Sequence, residues 1–332
     1  MYQMVLSMRR NRRKKQMNKR VYGVLGISAI MANWNADFTG YPKMTSDGNI
    51  FGSDKALKYP MKKMWDNEGE KVLYIKSYDW KTDPKTKKKQ MNPRSLGERY
   101  MDIFGTDKVE GETEVVLKNL FQAVDVKNFG ATFAEKKNNI SITGAVQIGQ
   151  GFNKYEGCRV EEQQILSPFR DGTKDADNDG EGGKPKQSTL GTKIVSNEAH
   201  YVYPFVINPQ AYKEYEELGV TQGYTQEDYD KFKRTSMVAA TSYATNAKVG
   251  CENELAVFIE TKPDLYLPNL SEYVTFSKKE GKNQITLTFD TLLNELQDSI
   301  LSVEIYYNPY TTELIQNIQK AVLYNIFTQK EV

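Results

Sequence analysis

Cysteine is nearly missing from this 332-residue chain. Its two cysteines, Cys158 and Cys251, supply neither a disulfide framework nor a four-cysteine zinc site. Histidine is scarcer still: with His200 alone, no site that needs two histidines can be built within one chain. No apolar stretch approaches the roughly eighteen residues of a membrane-spanning helix, so no membrane partner is expected. No Gly-Lys-Ser/Thr phosphate loop occurs, and Gly149-x-Gly151 lacks the third glycine and acidic partner of a dinucleotide fingerprint. No cofactor and no resident metal are therefore expected.

What remains is enough to build a core. Hydrophobic residues make up 39% of the chain and charged residues 27%, and 21 Tyr supply much of the aromatic content. The length fits one large domain with insertions or two modest ones. The net charge of +2 hides an asymmetry. Residues 1–20 carry eight basic side chains (Arg9, Arg10, Arg12, Arg13, Lys14, Lys15, Lys19 and Arg20) and no acidic one. The rest holds 37 basic against 43 acidic residues, a net of −6. Residues 1–20 thus read as a basic arm that grips nucleic acid or as a solvated tail. The body offers polyanions only local sites.

The apolar segment 21–32 after this arm superficially looks like a secretory signal. Its β-branched residues and glycines, Tyr22 near its start, and the sequel Asn33-Trp34-Asn35 in place of a small-residue cleavage site favour a buried strand. The cytoplasm is then the expected compartment, and the sequons at Asn139 and Asn269 carry no meaning. Beyond this strand (20–31) a polar loop runs to Ile50. A helix over 53–65, N-capped by Ser53, puts Leu57, Met61 and Met64 on one face and Lys55, Lys58 and Lys62 on the other. Pro60 should kink or interrupt it.

Residues 71–77 read as a strand and 81–99 as a basic loop. Helical patterns cover 94–104 and 113–124. Residues 140–148 alternate as a strand does, before a glycine-rich turn at 149–153. Segment 168–198 is poor in apolar residues and reads as a mobile insertion. Pro204 makes 199–207 an edge strand or a bulged one. Thr225-Gln226-Glu227-Asp228 opens a helix predicted over 226–247. A strand (254–260), a hairpin (273–276 and 284–289), a strand (301–307) and an amphipathic helix (312–327) close the chain. The β-α-β, β-α-β rhythm is that of an α+β, ferredoxin-like (RNA-recognition-motif-like) domain.

Several clusters have competing readings. Asp175, Asp177, Asp179 and Gly180 begin like a calcium loop, but Lys186 stands where the bidentate Glu belongs, which favours an acidic loop. His200, beside Tyr201 and Val202, reads as structural rather than as a general base. Asp37, Asp47 and Asp54 suit Mg²⁺, and equally suit turns and helix caps. In Asn33-Trp34-Asn35-Ala36-Asp37 the asparagines offer donors and acceptors. Trp34 offers either a stacking face or a core side chain. With the lysine face and the 81–99 loop, this segment outlines a track for a phosphate backbone.

Four stretches resemble the Cas-seven superfamily, the backbone subunits of CRISPR Cascade complexes, most closely the type I-B branch. They are Val21–Ile27 running into Asn33-Trp34-Asn35-Ala36-Asp37, with Ala36 where Gly is usual; Ser53–Lys58; Asp125-Val126-Lys127-Asn128-Phe129-Gly130-Ala131 with Ile142–Gln147, Lys127 replacing the usual Arg; and Ala247–Leu255. The resemblance spans about 20 to 260 in the family's order. It implies a hand-shaped subunit: a palm over 21–332 with a finger insertion at about 33–110 and a thumb insertion at about 167–200. Copies would polymerise head to tail along the crRNA beside other Cascade subunits, leaving the bases to pair with a target DNA strand.

Residues and resemblance together nominate a non-catalytic RNA-binding site. Lys55, Lys58 and Lys62 are expected on phosphates and Asn33 and Asn35 on ribose or phosphate. Gly144, Gln147 and Asn153 are expected at close backbone approaches, with Lys248 beside them. The alternatives are a metal-dependent ribonuclease of the same superfamily, using a loop aspartate such as Asp37, and a DNA-binding regulator using the basic arm.

Overall fold

A computed structural model describes residues 16–109, 112–166 and 190–332. The chain is organised around its first strand. β1 (Arg20–Ala32) is buried from Val21 to Ala29 because both of its faces are apolar. Val21, Leu25, Ile27 and Ala29 enter one hydrophobic cluster, and Tyr22 and Val24 enter another.

β2 (Phe51–Gly52) leads into α1 (Asp54–Asn67); β3 (Tyr78–Thr82) and β4 (Lys89–Pro93) form a hairpin ahead of α2 (Leu96–Phe104). α3 (Thr113–Leu120) and α4 (Val124–Phe129) precede a second hairpin, β5 (Gly130–Glu135) with β6 (Asn138–Thr143). β7 (Val146–Ile148), β8 (Gly151–Asn153), β9 (Val160–Leu166) and the long β10 (Leu190–Ile207) follow. After α5 (Lys213–Glu217), α6 (Gln226–Ser236) and α7 (Ala239–Ser242) come β11 (Cys251–Thr261), β12 (Val274–Lys278) and β13 (Asn283–Leu287). α8 (Asp290–Glu295), β14 (Ile300–Tyr307), β15 (Thr312–Ile315) and β16 (Ala321–Asn325) finish the chain.

The main sheet has the order β16-β14-β11-β1-β10-β8-β2, with β7 and β9 also paired to β10. β1 is antiparallel to both β10 and β11. α1 and α6 cover one face through Leu57, Met61, Trp65, Tyr229 and Phe232. The small sheet β12-β13-β15 covers the other, through Val274, Ile285 and Leu287. The result is a mixed α/β architecture. No described helix is long and apolar enough to cross a membrane.

Several expectations change. The predicted C-terminal helix over 312–327 is two strands: β15 pairs parallel with β13, and β16 parallel with β14. Sheet edges at both sites offer backbone partners, and this pairing overrides the helical spacing of Leu314, Ile318 and Val322. The predicted 226–247 helix stops at Ser236, because Asn253 occupies the break. Its Nδ2 donates to Ser236 O at 2.8 Å, and its Oδ1 accepts from Ala240 N at 2.9 Å. Segment 71–77 is not a strand; Asp125 binds its backbone instead. The predicted 81–99 loop is instead most of the β3–β4 hairpin, which begins at Tyr78, followed by the first turn of α2. Pro60 sits buried inside α1 without ending it.

β10 is an interior strand, not an edge. Pro204 lies where its pairing passes from β8 to β7, so its missing N–H interrupts no ladder. Residues 190–198 of the expected insertion belong to this strand. Residues 167–189, with the acidic Asp175–Asp179 segment, lie outside the described residues, as do residues 1–15 of the basic arm. Gln16 to Arg20 lie against the body: Met17 is buried, and Lys19 pairs with Glu260 at 2.6 Å.

His200 is structural, as expected. It is buried against Phe276, with ring centroids 3.6 Å apart, and Tyr155 meets it edge-on. Its Nδ1 lies 2.8 Å from Glu254 and its Nε2 3.3 Å from Glu198, which Lys278 also binds. Burial works against the imidazolium, but the two carboxylates outweigh it and raise the pKa above its ordinary 6.5. A raised folded-state value means that the pair stabilises the fold fully below about pH 6.5 and that this contribution is lost as pH rises through the shifted value. The stability gap between the wild type and His200→Gln, measured by thermal unfolding, should therefore narrow from pH 6 to 9. A constant gap would exclude a charged His200.

Candidate nucleic-acid interface

α1 begins where the loop after β1 returns to the sheet. Ser53 caps the helix by accepting from Ala56 N. Asn35, in the loop, closes the same corner: its Oδ1 accepts from Ser53 N at 2.7 Å. Asn35 and Lys55 thus lie two residues apart across one hydrogen bond, on one surface. Lys55 is exposed, with no ion-pair partner among the described residues. Lys58 pairs with Asp54 at 2.8 Å and its ammonium lies 5.1 Å from the Phe129 ring centroid. Burial works to raise the Asp54 carboxyl, but Lys58 outweighs it and holds the group below its ordinary value.

These lysines line a groove of about 620 Å³ with Tyr59, Tyr74 and the turn Phe129–Thr132. Its floor is a buried charge pair. Asp125 accepts from Leu73 N at 2.9 Å and Tyr74 N at 2.8 Å, and Lys62 stands 3.9 Å away while donating to Tyr74 O. Burial depresses the Lys62 pKa against the pull of Asp125; burial also raises that of Asp125, against Lys62 and the backbone donors. Lys62 therefore lies in the predicted groove but turns its charge inward to the fold.

The remaining nominated residues serve the frame. Asn33 is buried and donates to Gly40 O at 2.9 Å and Ile194 O at 3.2 Å. Lys248 is drawn in beneath it: its ammonium donates to Asn33 O at 2.7 Å and to Trp34 O, and burial lowers its pKa. Trp34 offers no stacking face. It is a core side chain whose Nε1 donates to the Tyr203 hydroxyl.

Gly144 does make a close approach, but to the chain itself. A Cβ there would stand 2.2 Å from Phe129 C and 2.4 Å from Gly130 N. Gln147 alternates with Val146 and Ile148 of the helix-side core, so it points to the other face of the sheet, beside Tyr22 and Leu270. Asn153 is occupied by His200 N at 2.8 Å and by both polar groups of the Tyr155 backbone. The structure thus gathers Lys55, Lys58 and Lys62 in one groove with Asn35 at the corner beside it, sets Gly144 behind the groove wall against Phe129 and Gly130, and separates Gln147 and Asn153 from them.

Tyr59, Tyr74 and Phe129 were not nominated. The segment around Phe129 was visible only as part of a longer motif, and nothing in the residues marked Tyr74 as a groove wall. Of the aspartates considered for a metal, Asp37 accepts from Thr39 N, Thr39 Oγ1 and Tyr41 N in a turn, which holds its carboxyl below the ordinary value. Asp54 is engaged by Lys58.

A mixed α/β chain with a basic groove at the start of its first helix is the class that fold and site define. Residues 19–293 match the family described as CRISPR-associated protein Cas7, and the chain belongs to that family. Its fold is similar to that of a chain in a solved structure titled "CRISPR RNA-guided surveillance complex, pre-nicking". The two share 12% sequence identity, with 92% of this chain and 96% of that one covered and a TM-score of 0.53. Comparison with curated proteins gives no match.

The groove lysines should separate by substitution. Lys62→Ala leaves Asp125 buried without its cation and should lower unfolding stability by about 3 kcal/mol. Lys55→Ala should change it by less than about 0.5 kcal/mol. Denaturant unfolding of both variants checks this, and equal losses would contradict the inward assignment of Lys62.

Proposed function

We propose that this protein is a non-catalytic, guide-RNA-binding backbone subunit of a type I CRISPR surveillance complex, of the type I-B branch, working in the cytoplasm. The observation that carries the reading is the corner where Asn35 binds the backbone of Ser53 and the uncommitted cation of Lys55 enters the groove two residues on. Family membership supports the assignment. The antiparallel order β11-β1-β10 with β7 and β8 outside it, and α1 and α6 on one face, supports a ferredoxin-like palm. The segments at about 33–110 and 167–200 then act as fingers and thumb.

Lys55 and Lys58 neutralise phosphates while Asn35 reaches a ribose or phosphate oxygen. Contacts of this kind fix register without reading bases. The base edges stay free to pair with a target DNA strand, so sequence recognition rests with the guide. Copies that meet head to tail through a non-closing interface build an open helix along the RNA, with other Cascade subunits at its ends. Of the three aspartates considered for a metal, Asp37 is engaged in a turn and Asp54 in an ion pair, leaving only Asp47 exposed, which favours the non-catalytic reading over the nuclease one.

Purified protein should carry RNA of defined length. Lys55→Ala should reduce the slope of log affinity for guide RNA against log salt by about 0.7, the value of one phosphate contact on a single strand. Lys62→Ala should leave that slope unchanged. Wild-type salt dependence in Lys55→Ala overturns the assignment. Mg²⁺-dependent cleavage of guide-paired RNA that is lost in Asp37→Asn would establish the nuclease. Duplex DNA binding that is lost on deleting residues 1–20 would establish the regulator.

A further inference from the structure

The β3–β4 hairpin has two unlike faces. Asp79 and Lys81 point to one of them, where Lys81 pairs with Glu98 and Arg94 bridges Asp79 and Asp102. That face is fastened to α2. Tyr78 and Trp80 point to the other, with Met91 directly across from Trp80. These three are 45%, 67% and 59% exposed, whereas the other tryptophans, Trp34 and Trp65, are 1% and 0% exposed. A contiguous group of large apolar side chains left in water marks an interaction surface.

The turn adds charge. Asp83 Oδ1 accepts from Lys85 N and Thr86 N at 2.8 Å each, and Asp83 N donates to Lys88 O at 2.9 Å, so the turn has a fixed shape. Lys85, Lys87, Lys88 and Lys89 are exposed and have no carboxylate partner among the described residues. Lys89 pairs with Thr82 and therefore shares the aromatic face. Lys76, whose ammonium lies 5.1 Å from the Tyr78 ring centroid, continues this surface back toward the lysine groove.

We propose that this hairpin is a second nucleic-acid site, distinct from the groove. It takes a single strand other than the guide, with bases stacked on Trp80 and Tyr78 and phosphates held by the turn lysines. Aromatic faces stack any base, and cations beside them track the backbone, which together form a sequence-tolerant single-strand surface. A cluster of free lysines next to exposed rings matches a polyanion that carries its own planar groups. An apolar protein surface would leave those charges unmatched. The site does not depend on the groove holding the guide.

Because Trp34 and Trp65 are buried, the solvent-quenchable tryptophan emission of the full chain belongs to Trp80. Titration with a fifteen-nucleotide oligo-dT, and in parallel with oligo-U, should quench that emission saturably. The tighter of the two identifies the strand as DNA or RNA. Trp80→Ala should weaken fluorescently labelled oligonucleotide binding by about tenfold. Joint Gln substitution of Lys85, Lys87, Lys88 and Lys89 should lower the salt slope by up to about 3. Lys55→Ala should leave the quenching intact while affecting guide RNA, so failure of either site is seen separately. Unchanged emission at saturating oligonucleotide, or wild-type affinity in Trp80→Ala, overturns the proposal. So does a concentration-dependent blue shift without oligonucleotide, which would give the face to a second copy of the chain.

Discussion

The structure depends on β1 being buried on both faces. A strand whose alternate side chains all need cover must lie inside a sheet, with a layer on each side. Helices α1 and α6 form one layer, and the β12-β13-β15 sheet forms the other. Close packing of its neighbours sets the sequence tightly: a Cβ at Gly23 would lie 1.9 Å from Val257 O. Because β1 is interior, the chain leaving it must turn back at the sheet's end. That return places Asn35 on the backbone of Ser53.

Two half-buried cations brace the groove. Lys248 holds the carbonyls at Asn33 and Trp34, and Lys62 answers Asp125, whose own oxygens fix the backbone at Leu73 and Tyr74. Each such charge is costly to desolvate; Lys248 is compensated by hydrogen bonds to carbonyls, and Lys62 by the Asp125 carboxylate as well. The outcome is a rim on which Lys55 remains free in solvent while Lys58 is half-buried and held by Asp54. Gly130 and Gly144, backbone against backbone, close the far wall with room for no side chain.

Much of this was legible from local pattern. β1, α1 with its lysine face, the capping box at Thr225 and the strand at Cys251–Thr261 follow from periodicity and cap chemistry, which act over a few residues. What escaped involved distant partners. Leu314, Ile318 and Val322 keep helical spacing, yet Leu314 and Val322 lie in strands that pair with β13 and β14, and Ile318 lies in the connection between them. The break after Ser236 is made by Asn253, seventeen positions away. The groove wall at Tyr74 arises because Asp125 captures that segment's amides.

The same division holds for the candidate site. The residue types for a phosphate track, and the order of motifs that resembles the family, were properties of the sequence alone. Charge, amide content and helical spacing are carried by neighbouring residues. Which lysines face outward was decided only by the folded chain. Lys55, Lys58 and Lys62 are equivalent on a helical projection. The buried carboxylate of Asp125 draws Lys62 inward, and Asp54 engages Lys58 at the surface. A side chain's freedom is a matter of what tertiary packing brings within a few ångströms of it, and no local pattern encodes that distance.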